Sequence, residues 1–349
     1  MVNLGWEDLV MRVGWILFGT GLALSTIAFA AESETAGTLA ERFQSLSAKL
    51  ESLAGRSRSA AKDQASLVGL QRDLEVLLNE VKAIYGPDDR RNYYRASPHE
   101  RRAADATAVL VNSLKVTPHA DGTISVSDEG ARLCGPASGF PAERFWDEPA
   151  PGFCSGFKVG PRLIATAGHC VHVATCPSTT VLFGFRKESE SQPVSTTFAR
   201  KNLYQCQEIV AGAFGGEDGS DWRVIRVDRE IEDVPTVALS TDPVQFGEPL
   251  TVVGYPMGLP VKIAANATVR DIRQAFFVAN LDTYGGNSGS VVYDTGKLRA
   301  GELVAKGVLV RGESDFLMSS PCRISNKCPD QGCRGEDVTK AEMLRDAVP

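Results

Sequence analysis

The chain has 349 residues, a formal net charge of −6 and a hydrophobic fraction of 43%. That much apolar material supports a packed core and excludes a disordered chain. The acidic balance removes the electrostatic case for a nucleic-acid partner. The length is long for one domain and short for two large ones.

Residues 13–30 form an apolar run that ends in Ala28-Phe29-Ala30, a small-x-small pattern. This reads as a signal peptide over residues 1–30 that exports the chain to the periplasm or the exterior. The alternative is a single membrane anchor, for which the run is short. After signal cleavage no stable membrane span is expected.

Residues 31–85 differ in style from the rest. Leu39, Phe43, Leu46, Leu50 and Leu53 step by four and three, and so do Leu67, Leu70, Leu74, Leu77, Val81 and Ile84. These are apolar seams of heptad type, interrupted around Gly55. They predict two helices, as a hairpin or coiled coil, serving as a propeptide, a stalk, or an arm for self-association through residues 39–84. Gly86-Pro87-Asp88-Asp89-Arg90 marks a turn and a boundary. The basic cluster Arg90, Arg91, Arg95, Arg101 and Arg102 reads as a solvated face or exposed linker.

From residue 86 to 349 the pattern becomes many short β runs between Gly and Pro. They include Ala108–Val111, Phe153–Val159, Leu163–Ala165, Val181–Phe185, Val224–Val227, Leu250–Tyr255, Val261–Ala265, Phe276–Val278, Gly289–Tyr293 and Leu303–Arg311. Such spacing predicts an all-β barrel domain. All eight cysteines lie after the signal, and an even count in an exported chain favours disulfides. Cys176 and Cys206 flank one apparent strand and can pair. Four of the others, Cys134, Cys322, Cys328 and Cys333, can bridge in three ways, and a zinc site from Cys322, Cys328 and Cys333 is the alternative to bridging.

Three segments carry chemistry: Thr166-Ala167-Gly168-His169-Cys170, Ser220-Asp221-Trp222, and Gly285-Gly286-Asn287-Ser288-Gly289-Ser290. A serine hydroxyl becomes a nucleophile when an imidazole takes its proton and a carboxylate orients that imidazole. Asp218, Asp228 and Asp233 compete with Asp221 for the third role.

The order His, Asp, Ser and these flanks resemble a trypsin-like (chymotrypsin-fold) serine peptidase. With Gly86–Arg90 and Cys154-Ser155-Gly156-Phe157, they resemble its bacterial V8-like, glutamyl endopeptidase-type branch over roughly residues 86–312. The resemblance implies an all-β catalytic domain of two six-stranded antiparallel β-barrels, preceded by the helical N-terminal segment. It implies His169, Asp221 and Ser288 as a catalytic triad, the N–H groups of Gly286 and Ser288 as an oxyanion hole, and a disulfide between Cys154 and Cys170. The partner is a protein or peptide substrate, and no metal or cofactor is implied.

Two departures matter. Trypsins carry Asp immediately before the nucleophile, to pair with a freshly cut N-terminus; here Asn287 stands there and cannot form that ion pair. Glutamyl enzymes use a Thr five residues before the Ser, which Thr283 matches, and a His on the later pocket strand. Here that strand, Val310-Arg311-Gly312, has none. Asp282 lies six residues before Ser288, where trypsins place the acid that binds Arg or Lys. The expected pocket is therefore Asp282, Thr283, Val310, Arg311 and Gly312, with cleavage after Arg or Lys; Arg311 favours the opposite case, a Glu preference. A catalytically silent protease-fold binding protein is the reading from another class, although all three triad positions are filled. An envelope quality-control protease with a PDZ module would need a longer stretch after Gly312.

Overall fold

The computed structural model describes residues 83–128, 132–215, 218–317 and 322–348. The signal peptide and nearly all of the expected helical seams lie outside those residues. Within them no helix is long and apolar enough to cross a membrane.

Twelve strands form the frame. In chain order the first six are β1 (Thr107–Asn112), β2 (Cys154–Gly160), β3 (Leu163–Thr166), β4 (Thr179–Phe183), β5 (Leu203–Phe214) and β6 (Asp221–Val227). They close antiparallel in the order β1-β2-β3-β6-β5-β4 and back to β1. The next six are β7 (Pro249–Gly254), β8 (Lys262–Ile272), β9 (Phe276–Ala279), β10 (Val291–Asp294), β11 (Val304–Arg311) and β12 (Glu336–Lys340). They close in the equivalent order, β7-β8-β9-β12-β11-β10 and back to β7. Two six-stranded barrels with one strand order are thus the trypsin-like fold.

Barrel closure removes every sheet edge and lets inward positions share one core. Aliphatic and aromatic residues supply it: Val109, Ile164, Val181, Leu182, Val224 and Ile225 are fully buried in the first barrel, and Val253, Phe277, Val291, Leu309 and Val338 in the second. A helix, α1 (Pro98–Asp105), precedes β1. Ser97 caps it reciprocally with Glu100, and proline occupies the first turn, where no amide donor is missed.

Two expectations need correction. Ile84, counted as the last position of a helical seam, lies in a two-residue strand, Ile84–Tyr85, parallel to Lys327–Cys328. A strand forms because Ile84 and Tyr85 are both buried against the body of the fold rather than on a helix face. Arg90 belongs to no solvated face. It is 1% exposed, paired with Asp88 at 2.8 Å, bonded to Tyr284 Oη at 2.8 Å and stacked over the Tyr284 ring. The residues after 312, outside the resemblance, are integral: β12 closes the second barrel between β9 and β11.

Four disulfides join Cys134–Cys322, Cys154–Cys170, Cys176–Cys206 and Cys328–Cys333. The zinc alternative is overturned, because its three cysteines are oxidised in two bridges. Four disulfides point to an oxidising, extracellular or periplasmic setting.

A buried polar cluster ties the segment before α1 to the second barrel. Lys262 and Glu148 are each 2% exposed at the side chain. Lys262 Nζ donates to Glu148 Oε2 at 2.5 Å, Asn92 Oδ1 at 2.6 Å and the Pro260 carbonyl at 3.0 Å. Burial lowers the Lys262 ammonium to about 8, with Glu148 acting against that fall. Removing one partner leaves a buried charge unpaired. Glu148→Ala is therefore expected to cost about 3–5 kcal/mol, read from the denaturant midpoint. Adding Lys262→Met to that variant should recover most of the loss.

Candidate active site

The His169 segment is a 3-10 turn, Gly168–Cys170, directly after β3. The Cys154–Cys170 bridge ties it to the start of β2. Gly168 is required there: a Cβ would lie 2.4 Å from the Ala213 carbonyl and 3.0 Å from Asp221 Oδ1. Asp221 opens β6, opposite Phe214 in the β5–β6 hairpin. It is 1% exposed. His169 Nδ1 lies 2.8 Å from Asp221 Oδ2, and the His169 amide donates to Oδ1 at 3.2 Å. Both carboxylate oxygens therefore face the same histidine and fix its ring and main chain together.

Burial alone would raise the Asp221 carboxyl. The His169 imidazole, then Arg311 and the His169 amide, outweigh it and hold the group below its ordinary value. Arg311 Nη1 stands 3.9 Å from Asp221 Oδ2, while its Nε pairs with Asp337 at 2.9 Å and Nη2 donates to the Gly219 carbonyl. Arg311 thus backs the carboxylate that orients His169. Among the competing acids, Asp218 bonds to Ser220, and Asp228 accepts from the Gln205 amide. Asp233 pairs with Lys201 at the surface.

Ser288 lies in the turn that leads into β10 and is 3% exposed. Its hydroxyl donates to the Val310 carbonyl at 3.2 Å, and its own carbonyl accepts from the Ser155 amide at 2.7 Å. The second bond crosses from one barrel to the other and brings the Ser288 turn to the strand whose Cys154 is bridged to Cys170, beside His169. Gly286 has φ +90°, and a Cβ there would fall within 2.9 Å of three main-chain atoms of residues 255–258. Gly289, at φ +87°, packs as tightly on the Ser155 carbonyl. Only glycine fits such close approaches. The Asn287 side chain accepts from Ser290 Oγ at 3.0 Å, so this amide braces its own turn.

The pocket residues divide. Val310 presents its carbonyl to Ser288, and Gly312 lies just past the end of the same strand. Both Asp282 oxygens are engaged by main chain: Oδ1 accepts the Tyr85 amide at 2.7 Å and Oδ2 the Asp89 amide at 2.8 Å. This carboxylate fastens the segment that leads into the first barrel. The acid beside the expected pocket is Glu336, in β12. It accepts from Thr283 Oγ1 at 3.2 Å, from the Ala83 and Glu313 amides and from Tyr85 Oη. It also fills the space a Gly312 side chain would need. Sequence reading missed Glu336 because it lies beyond the recognisable span, and missed Ser155 because its motif was read for the neighbouring cysteine.

Residues 154–305 match the family model described as Trypsin-like peptidase domain. Comparison with curated proteins finds no match. Among solved structures, the chain is similar to human heparin binding protein at 15% identity, covering 75% of this chain and 94% of that one, with a TM-score of 0.44. It is similar to a Glu endopeptidase in complex with MPD at 17% identity, over 76% and 97% of the two chains, with a TM-score of 0.44. It is also similar to a scabies mite inactivated protease paralogue at 13% identity, over 70% and 92%, with a TM-score of 0.42. The matched span holds His169, Asp221 and Ser288 and supports a serine protease.

Asp89 and Asp282 crowd one another. Burial raises the Asp89 carboxyl to about 8, and the Asp282 charge pushes it the same way. A raised acid binds its proton more tightly when folded, so stability falls as pH rises from the ordinary aspartate value, about 3.9, towards about 8. Asp89→Asn removes that slope. Its melting temperature should gain on the parent between pH 5 and pH 8.5, measured by thermal melts across the range.

Proposed function

We propose that the protein is an exported serine endopeptidase that cleaves peptide bonds through an acyl-enzyme. The observation that carries this reading is the His169–Asp221 pairing at 2.8 Å in a trypsin-like domain, with Ser288 held in a glycine-flanked turn by a bond to Ser155 at 2.7 Å. Ser288 Oγ attacks the scissile carbonyl and His169 Nε2 takes its proton. Asp221 stabilises the imidazolium and keeps Nδ1 protonated. The tetrahedral oxyanion is received by the N–H groups of Gly286 and Ser288. His169 then gives its proton to the leaving amine. Water, deprotonated by the same imidazole, releases the acyl group and restores the Ser288 hydroxyl.

The substrate main chain adds as a strand beside residues 310–312, and the pocket selects the residue before the cut. Glu336, rather than Asp282, is the carboxylate next to Gly312 and Thr283. It favours a substrate cation and repels a substrate carboxylate, which supports Arg or Lys over Glu. The V8-like affinity rests on the motifs; the Glu preference of that branch lacks its histidine here. Export by residues 1–30 agrees with four disulfides. Residues 31–85 are proposed to act as a propeptide.

Purified protein should label with a fluorophosphonate probe and cleave a peptide library after Arg or Lys. Ser288→Ala should abolish both, leaving thermal stability nearly unchanged, and His169→Ala should lose about 10⁴-fold or more in kcat. Full activity in Ser288→Ala would overturn the mechanism. A Glu preference that survives Glu336→Gln would overturn the specificity alone.

A further inference from the structure

Four peptide units surround the proposed oxyanion hole, and each has its carbonyl tied. The Gly285 carbonyl accepts from the Met257 amide. The Gly286 carbonyl accepts from Ser155 Oγ at 2.8 Å. The Asn287 carbonyl accepts from the Ser290 amide at 2.8 Å, and the Ser288 carbonyl from the Ser155 amide at 2.7 Å. In a trans peptide the N–H points away from its carbonyl. Tying the Gly285 and Asn287 carbonyls therefore fixes where the N–H groups of Gly286 and Ser288 point.

Ser155 stands out among these ties. It is fully buried and lies in β2 of the first barrel, whereas the turn belongs to the second. Its hydroxyl does two things at once. It donates to the Gly286 carbonyl and accepts from the Tyr255 amide at 3.0 Å. Tyr255 begins the loop whose Met257 amide holds the Gly285 carbonyl, with Met257 itself at φ +56°. One hydroxyl thus secures the Gly286–Asn287 peptide directly and the Gly285–Gly286 peptide through the 255–258 loop. Gly286 has no side chain to resist rotation, so this peptide needs an external tie to keep one orientation.

We infer that Ser155 is a positioning residue for the oxyanion hole, acting through its hydroxyl on the Gly286 peptide. This rests on the serine-peptidase reading above. An oxyanion donor acts in the transition state more than in the ground state, so its loss appears in kcat rather than KM. Removing a donor outright costs about 10²–10³ in kcat; loosening one should cost somewhat less.

The test compares wild type, Ser155→Ala and Ser155→Thr with a peptide substrate and a peptide boronic acid, which forms a tetrahedral adduct with serine. Ser155→Ala should lose about 10–100-fold in kcat, with KM nearly unchanged and boronate affinity falling in parallel. Ser155→Thr keeps the hydroxyl and should restore most of both. All assays run well below each variant's own melting temperature. A lowered melting temperature with kcat and boronate affinity retained would make Ser155 merely structural and overturn the inference. A rise in KM alone would overturn it too. If Ser155→Ala does not fold, Ser155→Thr decides: an Ala-sized loss of kcat with the hydroxyl present refutes the role. Absence of probe labelling and peptidase activity in the wild type would instead bring down the serine-peptidase reading, and this inference with it.

Discussion

A single main-chain hydrogen bond, from the Ser155 amide to the Ser288 carbonyl, joins two separately closed barrels at the point where the chemistry is proposed to occur. Each barrel satisfies its own ladder, so neither needs the other for strand pairing. What a cleft between them requires is register. His169 and Asp221 come from the first barrel and Ser288 from the second. Other bonds across the barrels support the register, among them Tyr255 Oη donating to the Thr107 carbonyl at 3.1 Å and Thr339 Oγ1 to the Asp221 carbonyl at 2.9 Å. All three donors or acceptors are buried, where an unmet partner is costly. These bonds therefore hold the barrels in register from places where breaking one carries a large penalty.

The carboxylates show how position, rather than residue type, sets a role. Asp221, Asp282 and Glu336 are all buried acids near the proposed cleft. Asp221 is matched to an imidazole and kept ionised. Asp282 is matched to two main-chain amides that favour its charge, but burial outweighs them and disfavours it. Glu336 is matched to a hydroxyl and amides beside Gly312. Their spacing from Ser288 along the chain does not separate these cases. The directions of their side chains do.

Much of this was legible in the sequence, for physical reasons that also explain the failures. Strands such as Leu163–Thr166 and Thr179–Phe183 are buried at every position and so read as apolar runs. β5 was not among the expected strands; beyond Cys206 none of its residues is buried, and its Ile209–Phe214 stretch extends with β6 as an exposed hairpin outside the core. β12 is hidden for the opposite reason. Its Glu336 and Asp337 are buried charges, and sequence reading expects charge outside. The site motifs were legible because glycine is forced where main chains touch, as at Gly168, Gly286 and Gly289. The two remaining bridges were open in the sequence because Cys134 pairs across 188 residues.

The position of β12 sets the order in which the molecule can be completed. The strand follows β11 by a long excursion and must insert between β9 and β11, where β9 has no other partner and β11 has only Ala238–Leu239 beside its first residues. Until it does, the second barrel is an open sheet with two bare edges, each able to recruit a foreign strand. Pairing of such distant segments is slow, because loop closure precedes any gain from contact. Until then β11, which carries the Val310 carbonyl that accepts from Ser288, is unsealed along most of one side, and the docking of β12 is what brings Glu336 beside Gly312 and Thr283. Maturation is thereby timed by topology: the fold cannot present its full cleft before its sheet is closed.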